Sequence, residues 1–317
     1  MYDIHLSERI TALDLTRLAM DLGVANGQDE VNVNFGSLRY FEIIPMTLLL
    51  GKLIGWYLEG KKVTVSVPDS CRAKPYLQRM DFFRKIGVDI HEDFKRQPSA
   101  GRFREFEVIS RGSESQADRL ATQVADVIVP DQKDSEDYSN TGYYDCVEYA
   151  VSELVLNTIQ HSSSAGFLGA QFYVAKGYTQ IGVIDNGKGI RQSFIDKNSP
   201  HSNRIANDAD AISVALERKV SSTTHSGMTG EAVNSGVGLT ILAELAGKAG
   251  GHYTVLSGAA AVIDGRVVDL GSYRGFSGTL SAFIFPREPM NKFSDHLEKA
   301  KQKIVDVDAD RFEGAFL

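Results

Sequence analysis

Glu153, Asn157 and His161 stand four apart in the stretch ELVLNTIQHS, with mostly apolar residues between them. At that spacing side chains lie one above another on an α-helix, so an acid, an amide and an imidazole share one stripe. A helix heading for the core would not ordinarily carry such a stripe, and a solvated polar face is its plain reading. In VIDNGKGI, Asp185, Gly187 and Gly189 follow directly on a strand signal. A carboxylate there can accept from an exocyclic amino group, while glycines permit positive φ and close backbone approach to a flat ligand. The same residues also make ordinary turns. In SGVGLTIL, Gly236 and Gly238 precede Leu239 at a helix start. Bare backbone N–H groups at that place attract phosphate, unless the glycines are only a hinge. Gly278 and Thr279 open the last strand run, GTLSAFIFP.

The elements that must position these groups follow from periodicity. A helix over about 144–162 leads into two strands within GAQFYVAKGYTQIGVID. A polar segment rich in Ser, Thr, Asn and Gly runs over 191–235, with one helical stretch at DADAISVALERK, and has the character of a functional lid. A helix at GLTILAELAGKAG and strand runs at HYTVLSG, AAVIDGRVVDL and GTLSAFIFP follow. Upstream, VNVNF and KVTVSVP read as strands, IPMTLLLGKLIGWYLEG and AKPYLQRMDFFRKIGV as helices, REFEVIS as a strand and SQADRLATQVADVIV as a helix. The polar, acidic stretch at about 130–143 reads as a linker. The expected organisation is a small α/β unit over 1–130, a second over 144–290, and a charged helix and tail over 291–317.

The 317 residues carry a net charge of −7, which argues against a nucleic-acid binder. Cys71 and Cys146 fit neither a disulfide framework nor a metal spacing. The segment FEIIPMTLLLGKLIGWYL is interrupted by Glu42, Pro45 and Lys52 and makes a poor membrane span, and the N-terminus lacks a signal-peptide pattern. The expectation is a cytoplasmic protein with no membrane partner.

Taken in order, Glu153/Asn157, Asp185/Gly187/Gly189, Gly236/Gly238/Leu239 and Gly278/Thr279 resemble the nucleotide-binding domain of the GHKL superfamily, over about 144–286. That domain is an α/β sandwich with helices on one face of a mixed sheet. The resemblance implies ATP and Mg²⁺ as ligands. It implies that Asp185 takes the adenine amino group with Thr279 in support, and that Gly187 and Gly189 line the base. It further implies that Asn157 ligates Mg²⁺, Gly236 and Gly238 lie along the phosphates, and Glu153 is the catalytic acid–base group. His161 sits near the phosphates or caps its helix. Arg204, Arg218 and Lys219 are the lid cations placed to reach a γ-phosphate, or are solvated lid charges.

The first unit is similar to a STAS domain, a common partner of GHKL serine kinases in anti-sigma-factor switches. Where those domains carry a phosphorylatable hydroxyl this chain has Glu42, Ile43 and Ile44, with Thr47 one turn on. These resemblances imply a nucleotide-driven regulatory switch, hydrolysing ATP or passing phosphate to a protein acceptor, and are compatible with a homodimer. The alternative is a non-catalytic regulator that works through protein contacts. The P-loop pattern is absent.

Overall fold

A computed structural model describes residues 1–112, 114–133, 142–162, 164–217, 238–271, 276–290, 292–300 and 302. The chain begins with strands β1 (Tyr2–His5) and β2 (Arg9–Ile10), helix α1 (Leu15–Ala25), strands β3 (Glu30–Asn34) and β4 (Tyr40–Phe41), helix α2 (Ile43–Leu58) and strand β5 (Lys62–Ser66). Helices α3 (Lys74–Arg79) and α4 (Phe82–Lys85), strand β6 (Phe103–Ile109) and helices α5 (Ser115–Ile128) and α6 (Gly142–His161) follow. The remainder comprises β7 (Gly166–Tyr173), β8 (Tyr178–Asp185), α7 (Gly189–Asp196), α8 (Asp208–Ala215), α9 (Gly238–Lys248), β9 (His252–Gly258), β10 (Ala260–Ile263), β11 (Arg266–Asp269), β12 (Phe276–Pro286) and α10 (Arg287–Met290).

β1, β3 and β5 form a parallel sheet in the order β1-β3-β5, and β2 pairs with β4. The main sheet has seven strands in the order β11-β10-β9-β12-β8-β7-β6, every neighbouring pair antiparallel. The expected mixed sheet is therefore replaced by an antiparallel one. β7 and β8, β9 and β10, and β10 and β11 follow one another in the chain as antiparallel neighbours, which needs no parallel crossover.

Helices cover both faces of that sheet, not one. Ile181 and Val183 of β8 pack with Val151, Leu154 and Val155 of α6, together with residues of α5 and α9. The alternate residue Ile184 packs with Leu48, Leu49 and Leu53 of α2, along with Leu256 and Leu280. Because α2 is apolar around its whole circumference, with every residue from Ile43 to Leu53 buried, it must lie inside the molecule. It touches β7, β8 and β12 on one side and β5 on the other. Glycines set its approach to the main sheet. A Cβ on Gly51 would lie 2.6 Å from the Ile184 side chain, and one on Gly182 would lie 3.2 Å from Thr47 Oγ1. No described helix is long and apolar enough to cross a membrane.

Three local expectations change. AKPYLQRMDFFRKIGV is two short helices, because Asp81 adopts a left-handed φ of 58° and breaks the run. Its carboxylate accepts from Arg96 Nη2 at 2.6 Å, and the bend turns both Phe82 and Phe83 onto Phe35, with ring centroids 5.9 and 5.7 Å away. AAVIDGRVVDL is a hairpin, turned at Asp264 and Gly265 with φ of 48° and 78°. Finally, β6 and α5, expected with the N-terminal unit, belong to the main sheet: β6 pairs with β7, and α5 packs on α6.

Candidate functional site

The stripe on α6 divides between core and cleft. Cys146, Val147, Ala150, Val151, Leu154 and Val155 are buried, and the next stripe round carries Glu153, Asn157 and His161. Asn157 and His161 line a cleft that opens to solvent. Asp185, Gly189, Gly238, Leu239 and Thr279 line the same cleft. Segments as distant as 154–162 and 279–281 are thus brought together where α6, α7 and α9 meet the ends of β8 and β12.

Asp185 ends β8 directly opposite Thr279 of β12 and is 7 % exposed. Its Oδ1 accepts from Gly187 N at 2.7 Å, and it also engages Ser162 and the Thr279 backbone. Burial pushes its carboxyl up to about 6, against the pull of those hydrogen bonds. At pH 7 it remains mostly an ionised acceptor.

Of the two glycines beyond it, Gly189 has a φ of 78°, whereas Gly187 is not among the positive-φ residues and does not line the cleft. Gly187 serves the turn through its N–H instead. Gly278 has a φ of 99°, and a Cβ there would fall 1.9 Å from the Asp185 carbonyl oxygen, so no side chain fits. One residue invisible to motif reasoning ties these turns together. Ser257 of β9, 2 % exposed, donates to Gly278 O at 3.0 Å and accepts from Ile190 N at 2.9 Å.

Asn157 Nδ2 is buried and has no hydrogen-bond partner among the described residues. An unmet buried amide is costly, and a ligand would satisfy it. A half turn of the amide exchanges its nitrogen and oxygen, so the side chain fits a hard cation through oxygen. Among the described residues no group of three His, Cys, Asp or Glu is arranged to hold a metal ion. A cation at Asn157 would complete its shell from phosphate and water oxygens, as magnesium commonly does.

His161 Nδ1 lies 2.8 Å from Lys197 Nζ. Burial, then the charges of Lys197 and Lys188, depress the imidazole to about 4, so it is neutral at pH 7 with its proton on Nε2. Lys197 is a cation that spacing could not reveal, since it lies at the far end of α7. Arg204 is instead paired with Glu217 and does not line the cleft. Arg218, Lys219 and Gly236 lie outside the described residues.

Glu153 does not line the cleft. Its carboxylate sits against the start of α9, where a Cβ on Gly238 would meet Oε2 at 1.8 Å. It also hydrogen-bonds Tyr149, whose hydroxyl is raised mainly by burial and further by Glu153. The expected lid is only partly separate structure. Through 217 it consists of α7, a 3₁₀ turn at Ser202–Arg204 and α8, with Phe194 and Ile212 buried and Asp208 Oδ2 accepting from Ala259 N at 2.9 Å. Residues 218–235 lie outside the described residues.

In the N-terminal layer Glu42 is 2 % exposed and accepts from Ala12 N at 2.9 Å, Gln180 Nε2 at 2.8 Å and Lys176 Nζ at 2.7 Å. Thr47 is fully buried and donates to Ile43 O at 2.7 Å, which leaves no hydroxyl for an external phosphate donor. No protein-family model matches the chain, and no curated protein matches it either.

Proposed function

We propose that the cleft binds ATP with Mg²⁺ and that the protein uses the nucleotide as a regulatory switch. The observation that carries this reading is the meeting of four sequence-distant groups in one cleft: a buried carboxylate at Asp185, an unpartnered amide at Asn157, the glycine start of α9 at Gly238, and Thr279. A buried carboxylate at the closed end of a partly apolar cleft suits the amino edge of adenine, as the GHKL resemblance implies. Asn157 would hold Mg²⁺ through its amide oxygen, and the bound ion would neutralise phosphate charge. The α9 N-terminus adds backbone N–H donors, and Lys197 with Lys188 adds positive potential on the His161 side.

The bound nucleotide is either turned over, by hydrolysis or transfer to a protein hydroxyl, or only held. The hydrogen bond between Glu153 and Tyr149, and the absence of Glu153 from the described cleft lining, favour binding alone unless the carboxylate is released when the site fills. Calorimetric titration with a non-hydrolysable ATP analogue and Mg²⁺ should saturate for the parent and weaken at least tenfold for Asn157→Ala. Phosphate release or labelling of an acceptor that Glu153→Ala abolishes, with binding retained, establishes turnover. No saturable binding by the parent refutes the proposal.

A further inference from the structure

Asp185 is seated from the face opposite the cleft. Side chains along β8 alternate across the main sheet, so Asp185 points into the cleft while its neighbours Ile184 and Asn186 point toward α2. α2 receives them on two glycines one turn apart. A Cβ on Gly51 would lie 2.6 Å from Ile184 Cδ1 and 2.8 Å from its Cγ1 and Cγ2, and one on Gly55 would lie 3.0 Å from Asn186 Oδ1. Glycine inside a helix costs stability relative to alanine, and here each glycine admits a residue flanking Asp185. The two contacts differ in give. Asn186 meets α2 with the end of its side chain, which can turn aside. Ile184 meets it with both branches at Cβ, is fully buried and is stiff about χ1, so it retreats only by carrying its backbone, and with it Asp185.

We propose that Gly51 and Gly55 are positioning residues for the cleft: through Ile184 and Asn186, α2 sets where the Asp185 carboxylate stands, and the N-terminal layer thereby regulates what the cleft binds. α2 also packs on α1 and β5, so a displacement of that layer reaches Ile184 through one helix. The coupling is reciprocal, and a ligand that engages Asp185 is felt on α2. The seating of Asp185 stands on this geometry alone; that the ligand is ATP rests on the proposed function.

Trp56 follows Gly55 on α2, is the only tryptophan in the chain, is fully buried, and donates from Nε1 to Asn26 Oδ1 at 2.8 Å. It does not line the cleft, so a response there has to arrive through the protein. A non-hydrolysable ATP analogue with Mg²⁺ should change its fluorescence saturably, at the midpoint that calorimetry gives for binding. Folded Gly51→Ala should bind the analogue roughly tenfold more weakly. The double variant Gly51→Ala/Ile184→Ala, which removes the atoms the new methyl would meet, should recover most of that loss. A second readout needs no ligand. Exchange of the Gly187 amide, whose N–H donates to Asp185 Oδ1, should quicken roughly tenfold in Gly51→Ala relative to amides of β9 and β10, and slow again in the double variant. Should Gly51→Ala not fold, Gly55→Ala, which meets only the end of the Asn186 side chain, carries both comparisons with smaller effects in the same direction. If the parent binds no analogue, the nucleotide reading fails and amide exchange alone decides the proposal. Unchanged Gly187 exchange, undiminished affinity in the folded variant, or analogue binding that leaves Trp56 silent would each overturn it.

Discussion

Asp185 carries opposing demands that make it separable from its neighbours by experiment. Its carboxyl titrates near 6 in the folded chain against 3.8 ordinarily, because burial disfavours the charged form. The native state therefore holds its proton more tightly than the unfolded chain does, and stability falls as pH rises from about 4 through 6. A rise of that size corresponds to about 3 kcal/mol between the protonated and ionised forms. Asp185→Asn removes the titrating group but sets an amide NH2 where the carboxylate now accepts, so the variant should lose the fall in stability between pH 4 and 6 that the parent shows. It should also bind ATP at least tenfold more weakly. Denaturant melts of both proteins across that range check the sign; parallel pH profiles would count against the buried-carboxylate account. The residues whose meeting in one cleft was legible in the sequence were those with a local pattern: Asn157 and His161 one turn apart, Asp185 at the end of a strand signal, Thr279 at the start of the last strand run. Ser257, Lys197 and Tyr149 were not legible, since each acquires its role from a partner on another element.

Among the elements, helices and strands with a clear apolar period were legible, and departures have local causes. Asp81 broke an otherwise continuous amphipathic run by turning left-handed, something Asp tolerates and periodicity does not register. The antiparallel order of the main sheet was not legible, because alternation in a strand says nothing about its neighbour. Nor did the pattern say that α2 would seat on β7 and β8 through Gly51, Gly169 and Gly182. That seating sets a prediction. Gly182→Val places methyl groups against Thr47, which has no room to retreat, and should destabilise by about 1–3 kcal/mol or more. Gly247→Ala is the control: it lies inside α9 with nothing within 4 Å of a Cβ and should stabilise by about 0.5–1 kcal/mol. Chemical denaturation of both variants measures the contrast, and equal effects would mean that α2 does not pack this closely.

The molecule as a whole follows from α2 being shared. Composition and motif order suggest two units joined near 130–143, yet Ile184, Leu280, Leu256 and Phe167 of the main sheet lie in one hydrophobic cluster with α1, α2 and β3. Glu42 adds a polar fastening across the same junction, joining Ala12 to Lys176 and Gln180. Burial pushes the Glu42 carboxyl up, but bonds from Lys176, Ala12 and Gln180 outweigh it and hold the group below its ordinary 4.5. Its contribution is therefore present above that value and fades as pH falls, opposite in sign to Asp185. Removing the N-terminal layer would bare those four large side chains, at about 1.5–3 kcal/mol each. Together they amount to roughly half or more of a domain's usual net stability of about 5–15 kcal/mol. A fragment of residues 142–302 also loses the edge strand β6, which leaves β7 unpaired on that side. Expressed alone, it should aggregate or bind a hydrophobic dye strongly, and should show no ATP-dependent rise in melting temperature, whereas the full chain remains soluble. A fragment that stays monomeric with a sharp thermal transition would show that the sheet needs no cover from α2. In that case the N-terminal layer would be a docked partner and not a part of the core.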